Sequence, residues 1–90
     1  MREAFVCINA SPDSIDQVFA ELKACKEVKE AFRVYGIYDI IARVSGENIE
    51  DLSKFIDARI KRLSEVQTTL SMLISESPND FNWKSEPLTV

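Results

Sequence analysis

Apolar positions recur along this chain with two different periods, and the changes of period mark out its elements. Ala4 to Asn9 form a short run rich in strand-forming residues, which predicts a first strand. Ser11-Pro12-Asp13 then carries helix-start chemistry. Ser11 suits the N-cap, Pro12 the first helical position, and Asp13 the positive end of the helix dipole. Ile15, Val18, Phe19, Leu22 and Cys25 follow at helical spacing on one stripe. Val28 to Tyr35 alternates and predicts a second strand, Gly36 breaks it, and Tyr38 to Ser45 predicts a third. The short gap implies a tight hairpin in which Gly36 takes a positive φ. Asn48 caps a second helix, with Glu50 and Asp51 in its first turn and Ile49, Leu52, Phe55, Ile56, Ile60 and Leu63 as its apolar stripe. Val66 to Glu76 predicts a fourth strand.

Beyond Ser77 the pattern stops. Pro78, Asn79 and Asp80 mark a turn, and Phe81 and Trp83 stand in a polar context. The chain therefore reads as one domain over residues 1–76 and a C-terminal tail over 77–90. Docking of the two tail aromatics on the domain or on a neighbour is expected, because a large aromatic gains much from burial.

Two strand–helix–strand units in series imply an α+β, ferredoxin-like βαββαβ fold. Right-handed crossovers put strands one and three in the middle of an antiparallel sheet, with strands four and two at its edges. Both helices then cover one face and leave the other bare. Side chains alternate across a strand, so parity assigns each residue to a face. Val6, Ile8, Phe32, Val34, Ile40, Ala42, Val44, Leu70, Met72 and Ile74 form a nearly uniform apolar set, expected beneath the helices. The opposite set is Phe5, Cys7, Arg33, Tyr35, Asp39, Ile41, Arg43, Thr69, Ser71 and Leu73. It is too apolar for water and too charged for a core, which suits a subunit seam holding a polar pocket, and hence a dimeric αβ sandwich.

Composition narrows the function. A 90-residue chain is one domain by size, and one this small gains from burial by self-association. The net charge of -4 lacks the basic face a nucleic-acid binder needs to neutralise phosphates. Arg59, Lys61 and Arg62 are the densest basic run, and they complement the end of the second helix. Cys7 and Cys25 read as core thiols without metal or disulfide spacing, and neither a cofactor nor a metal is implied. No segment has the length and hydropathy of a membrane span and no signal peptide is evident, so the expected location is cytoplasmic.

Asp39, Thr69 and Ser71 share the mixed-face parity and lie at the same end of the sheet, about 10 Å apart across strand one. Asp39 could accept from an ammonium group, while Thr69, Ser71 and the amides around Gly36 could donate to a carboxylate. Each also has a plain structural reading, Asp39 as a turn residue and the hydroxyls as ordinary strand residues.

The stretch Val34-Tyr35-Gly36-Ile37-Tyr38-Asp39-Ile40-Ile41-Ala42-Arg43-Val44 resembles the hairpin of the Lrp/AsnC regulators, in which Gly-x-Tyr-Asp leads into an aliphatic strand. Val66-Gln67-Thr68-Thr69-Leu70-Ser71-Met72-Leu73-Ile74 is similar to their last strand, which carries Thr-x-Thr. The likeness runs from about Ala4 to Glu76 and matches the effector-binding half, the RAM domain. It implies sheet-to-sheet homodimers, assembly of dimers into rings, and an amino-acid effector held by Gly36, Tyr38, Asp39, Thr69 and Ser71. Ser71 stands where the pattern has its second Thr, and Thr68 where the family often has Arg. Full-length members carry a helix-turn-helix domain ahead of this module, for which no room precedes the first strand. The resemblance thus implies a stand-alone regulatory domain without direct nucleic-acid or membrane contact, acting by itself or by co-assembly with full-length regulators.

Three other readings compete. A purely structural interaction module would fill the seam with side chains such as Tyr35 and Arg43. A dimeric αβ-barrel enzyme shares the element order, but the chain has 0 His and no evident carboxylate pair for proton transfer. An ACT-type sensor would pair edge to edge.

Overall fold

The computed structural model describes residues 1–63 and 65–74. The expectations placed on the tail, including docking of Phe81 and Trp83, lie outside these residues. The elements run β1 (Arg2–Ala10), a 3-10 turn (Pro12–Ser14), α1 (Ile15–Lys23), β2 (Val28–Arg33), β3 (Ile40–Gly46), α2 (Ile49–Phe55) continued by a π-helical turn (Ile56–Ile60), and β4 (Val66–Leu73). The expected βαββαβ order holds. The strands form one antiparallel sheet in the order β2-β3-β1-β4, as the crossover rule requires.

Local chemistry accounts for the element starts. Asn48 is extended and its side chain accepts from the Asp51 amide at 2.8 Å, which caps α2. Ser11 behaves differently. Its side chain makes no cap, and its carbonyl accepts from Ser14 N–H at 2.8 Å, so a 3-10 turn precedes α1.

The core lies between the sheet and the two helices. Ala4, Val6, Ile8, Ala10, Ile40, Ala42 and Val44 pack against Val18, Leu22, Leu52, Phe55, Ile56 and Ile60. For β1 and β3, parity is thus borne out.

The two edge strands depart from it, each because of one extra residue. In β2, Val28 pairs with Val44 but Glu30 pairs with Arg43, so Lys29 is a bulge. In β4, Val66 pairs with Ala10 but Thr68 pairs with Asn9, so Gln67 is another. A one-residue slip sends every later side chain to the other face. Phe32, Leu70 and Met72 were expected beneath the helices. They pair with Ile41, Cys7 and Phe5 on the bare face, 47, 46 and 46% exposed. Arg33, Thr69, Ser71 and Leu73 were expected on the bare face, and they pair with Ile40, Ile8, Val6 and Ala4 on the helix side. Arg33 accordingly forms an ion pair with Asp16, just inside α1.

The second correction concerns the hairpin. The β2–β3 connection spans residues 34–39, longer than the tight turn expected about Gly36. Gly36 nevertheless takes the expected positive φ, at +158°, a conformation that L side chains rarely adopt, while a Cβ there would meet nothing within 4 Å.

Candidate functional site

The 34–39 connection is pinned at its end and free at its tip. Asp39 holds the pinned end with three hydrogen bonds. Its N–H donates to the Ile8 carbonyl at 3.0 Å, its carbonyl accepts from Val34 N–H at 3.0 Å, and its carboxylate accepts from Ala10 N–H at 3.1 Å. Ala10 lies two residues beyond the last β1–β3 pair, Ile8–Ile40, so its N–H has no β3 backbone acceptor in register. The carboxylate supplies that bond. A carboxylate has acceptor capacity for several donors, so this bond leaves room for more. Tyr38 beside it is half-buried, whereas Tyr35 and Ile37 at the tip are 107 and 86% exposed.

The candidate residues do not converge on one face. Asp39 meets β1 near Ile8 and Ala10, and Thr69 pairs with Ile8 from the other side of that strand, so both lie at one end of the sheet as expected. Thr69 and Ser71, however, have the facing of Ile8 and Val6, beneath the helices. Ser71 lines a cavity of about 240 Å³ between α2 and β4, together with Leu52, Ile56 and Leu73. Gly36 and Tyr38 stay with the connection.

On the bare face at the Asp39 end stand Asn9 and Thr68, joined by a hydrogen bond from Asn9 Nδ2 to Thr68 Oγ1 at 3.0 Å. Parity counting from the sequence assigned neither to a site. Once the Gln67 bulge is known, Thr68 takes the facing that Thr69 was expected to have.

The middle of the bare face is apolar: Phe5, Cys7, Phe32, Ile41, Leu70 and Met72 share it. Cys7 is only 5% exposed although no helix covers it, because larger neighbours shield it. One charged cluster, Arg43 with Glu30 and Glu3, interrupts the patch. Arg43 Nε donates to Glu30 at 2.9 Å and Arg43 Nη1 to Glu3. The hydrogen bond donated to Glu30 holds the Arg43 guanidinium above its ordinary pKa range, with Glu3 acting in the same direction and burial against it. Arg43 is therefore paired within its own chain and is not a free cation on the bare face.

A family model described as the Lrp/AsnC ligand binding domain matches residues 3–83. The chain belongs to that family. Among solved structures, the protein FFRP-DM1 is 36% identical, with a TM-score of 0.81 over 83% of this chain and 100% of its own. The HTH-type transcriptional regulator PH0140 of Pyrococcus horikoshii is 26% identical over 72 residues, 80% of this chain and 46% of that regulator. The chain spans about half the length of the curated relatives it matches. The Neisseria meningitidis transcriptional regulator NMB0573, crystallised as an L-Met complex, is 18% identical, covering 86% of this chain and 51% of its own. With a TM-score of 0.76 it shares the fold. The Lrp/AsnC resemblance and the ferredoxin-like α+β fold are thus borne out, and the family is one of ligand-binding, regulatory proteins. Among the described residues no helix is long and apolar enough to cross a membrane, and no cluster of metal-ligating side chains occurs.

Proposed function

We propose that this Lrp/AsnC domain is an amino-acid-responsive oligomer that regulates transcription or metabolism. Two copies pack bare face to bare face, and an effector sits where the 34–39 connection meets a neighbouring copy. The observation that carries the reading is the bare sheet face itself. Phe32, Leu70 and Met72 are each nearly half exposed and contiguous with Phe5 and Ile41, and patches of this kind mark association surfaces. The two bulges strengthen this reading, because they bring apolar side chains to the seam and take polar ones away.

For the effector, Gly36, Tyr38 and Asp39 remain the central residues. A free amino acid offers an ammonium group to Asp39 and a carboxylate to the amides of the connection. Thr69 and Ser71 contribute from the helix side of the same sheet end or through a neighbouring copy, and Asn9 and Thr68 from the bare face. The L-Met bound to the Neisseria regulator, which has this fold, favours an amino acid as the ligand class. Higher rings and mixed assemblies with longer family members extend the same logic, since an effector shifts an assembly only by binding one state better than another.

Native mass spectrometry with pooled free amino acids, paired with thermal shift, tests the proposal. The expected result is an even-numbered oligomer that gains mass with at least one amino acid and melts higher in its presence. A chain that stays monomeric at high concentration ends the dimer reading. An oligomer that ignores every amino acid leaves the purely structural module.

A further inference from the structure

We propose that a cavity at the other end of the sheet from Asp39 is a second small-molecule site, which takes a ligand carrying an ammonium group and a carboxylate on a short apolar body. The cavity has a volume of about 440 Å³. Small-molecule sites span roughly 300–1,000 Å³. It opens where β2 begins, β3 ends and α2 begins. Ser45 on its wall lies along β3 from Asp39 by roughly 20 Å of extended chain, so the two sites are separate. Local bonds shape the walls. Ser45 N–H donates to the Glu27 carbonyl at 2.9 Å, which ties the α1–β2 connection to the end of β3. Lys29, the bulge residue of β2, turns its Nζ onto the Lys26 carbonyl at 3.2 Å and closes that side. Phe55 of α2 is buried and gives the cavity an apolar surface.

Two independent observations point to a ligand. Ser45 is the one buried polar residue among the described residues, 4% exposed, and its hydroxyl has no hydrogen-bond partner among them. A buried hydroxyl left unpaired is destabilising, and Ser45 lines the cavity, where a bound molecule supplies the missing bond. The second observation is that charges of both signs line the cavity without meeting. Lys26, Glu27, Glu47 and Asp51 all border it, yet none of them forms an ion pair with another described residue. A ligand bearing both signs satisfies them together. Its carboxylate accepts from the Lys26 ammonium and the Ser45 hydroxyl, and its ammonium donates to the carboxylates. Phe55 takes the apolar body. The same lining selects against simpler ligands. Glu27, Glu47 and Asp51 repel a plain anion, while Lys26 and Lys29 repel a polyamine. Free amino acids are the smallest molecules with the required groups, so they are the natural probes.

The isotope-labelled 90-residue chain is titrated with each free L-amino acid in turn and followed by its amide NMR resonances. Binding in the cavity shifts the Ser45, Gly46 and Glu47 amides saturably with at least one amino acid, and does so equally in Asp39→Asn. Lys26→Gln and Glu47→Gln each weaken that binding about tenfold, and Ser45→Ala weakens it several-fold. Lys26 and Glu47 are exposed, so their variants keep the fold, which an otherwise native spectrum verifies. None of the three variants alters shifts at Gly36 to Asp39. Shifts confined to Gly36–Asp39 overturn the cavity site and leave the effector reading standing, whereas shifts confined to Ser45–Glu47 do the reverse. Resonances at Ser45–Glu47 that ignore every amino acid overturn the proposal. So do shifts there that vanish in Asp39→Asn yet survive Lys26→Gln and Glu47→Gln, because they are then transmitted from the other end of the sheet.

Discussion

Asp39 illustrates how one side chain can be both structural and functional. Its carboxylate completes the hydrogen bonding of Ala10 N–H where β3 has run out, and its backbone ties β1 to the end of β2. Asp39→Ala leaves a part-buried N–H without its acceptor, so chemical denaturation should show a loss of about 1–2 kcal/mol. Asp39→Asn keeps an acceptor oxygen and should lose well under half of that, yet it removes the charge that recognises an ammonium group. A near-native Asp39→Asn protein that no longer shifts its melting temperature with amino acids is the expected outcome. Arg43 contributes differently. Its pKa is raised above the ordinary guanidinium range, so its stabilisation is fully present below that range and is lost only as pH rises beyond it. Titration of Arg43 therefore makes no pH dependence near neutrality. The Asn48 cap was legible in the sequence, because it acts through a local bond to the Asp51 amide. The acceptor role of Asp39 toward Ala10 was not legible, since nothing in the chain's pattern pairs positions so far apart.

At the scale of elements, the decisive features are two single-residue bulges on the edge strands. Lys29 and Gln67 each insert one residue, and each reverses the facing of the strand beyond it. This makes a sharp test with neighbouring positions. Leu70→Glu places a carboxylate on the bare face, whereas Ser71→Ala alters only the helix side. Sedimentation equilibrium should find Leu70→Glu monomeric and Ser71→Ala assembled like the wild type. The opposite result would restore the uninterrupted register. The helices were easier to read. Their apolar stripes, the Asn48 cap and the burial of Val18, Leu22, Leu52, Phe55, Ile56 and Ile60 all follow from a period that local sequence displays.

At the scale of the molecule, a four-stranded sheet covered on one side leaves an apolar surface that a second copy can cover. Assembly of this kind couples stability to concentration, so the melting temperature of the wild-type chain should rise with protein concentration and that of Leu70→Glu should not. A wild-type melting temperature independent of concentration would separate folding from assembly. The element order, the Lrp/AsnC likeness and the core of the two central strands were determined by the sequence alone. Each rests on periodicity, on caps or on short motifs, which neighbouring residues carry among themselves. Only the tertiary structure decided which face Phe32, Leu70, Thr69 and Ser71 occupy, and that Asp39 closes the end of β1. Both edge strands carry apolar residues at both parities, so their own pattern accommodates either facing. Pairing with the central strands, through bulges that leave no mark in composition or period, selects one of the two.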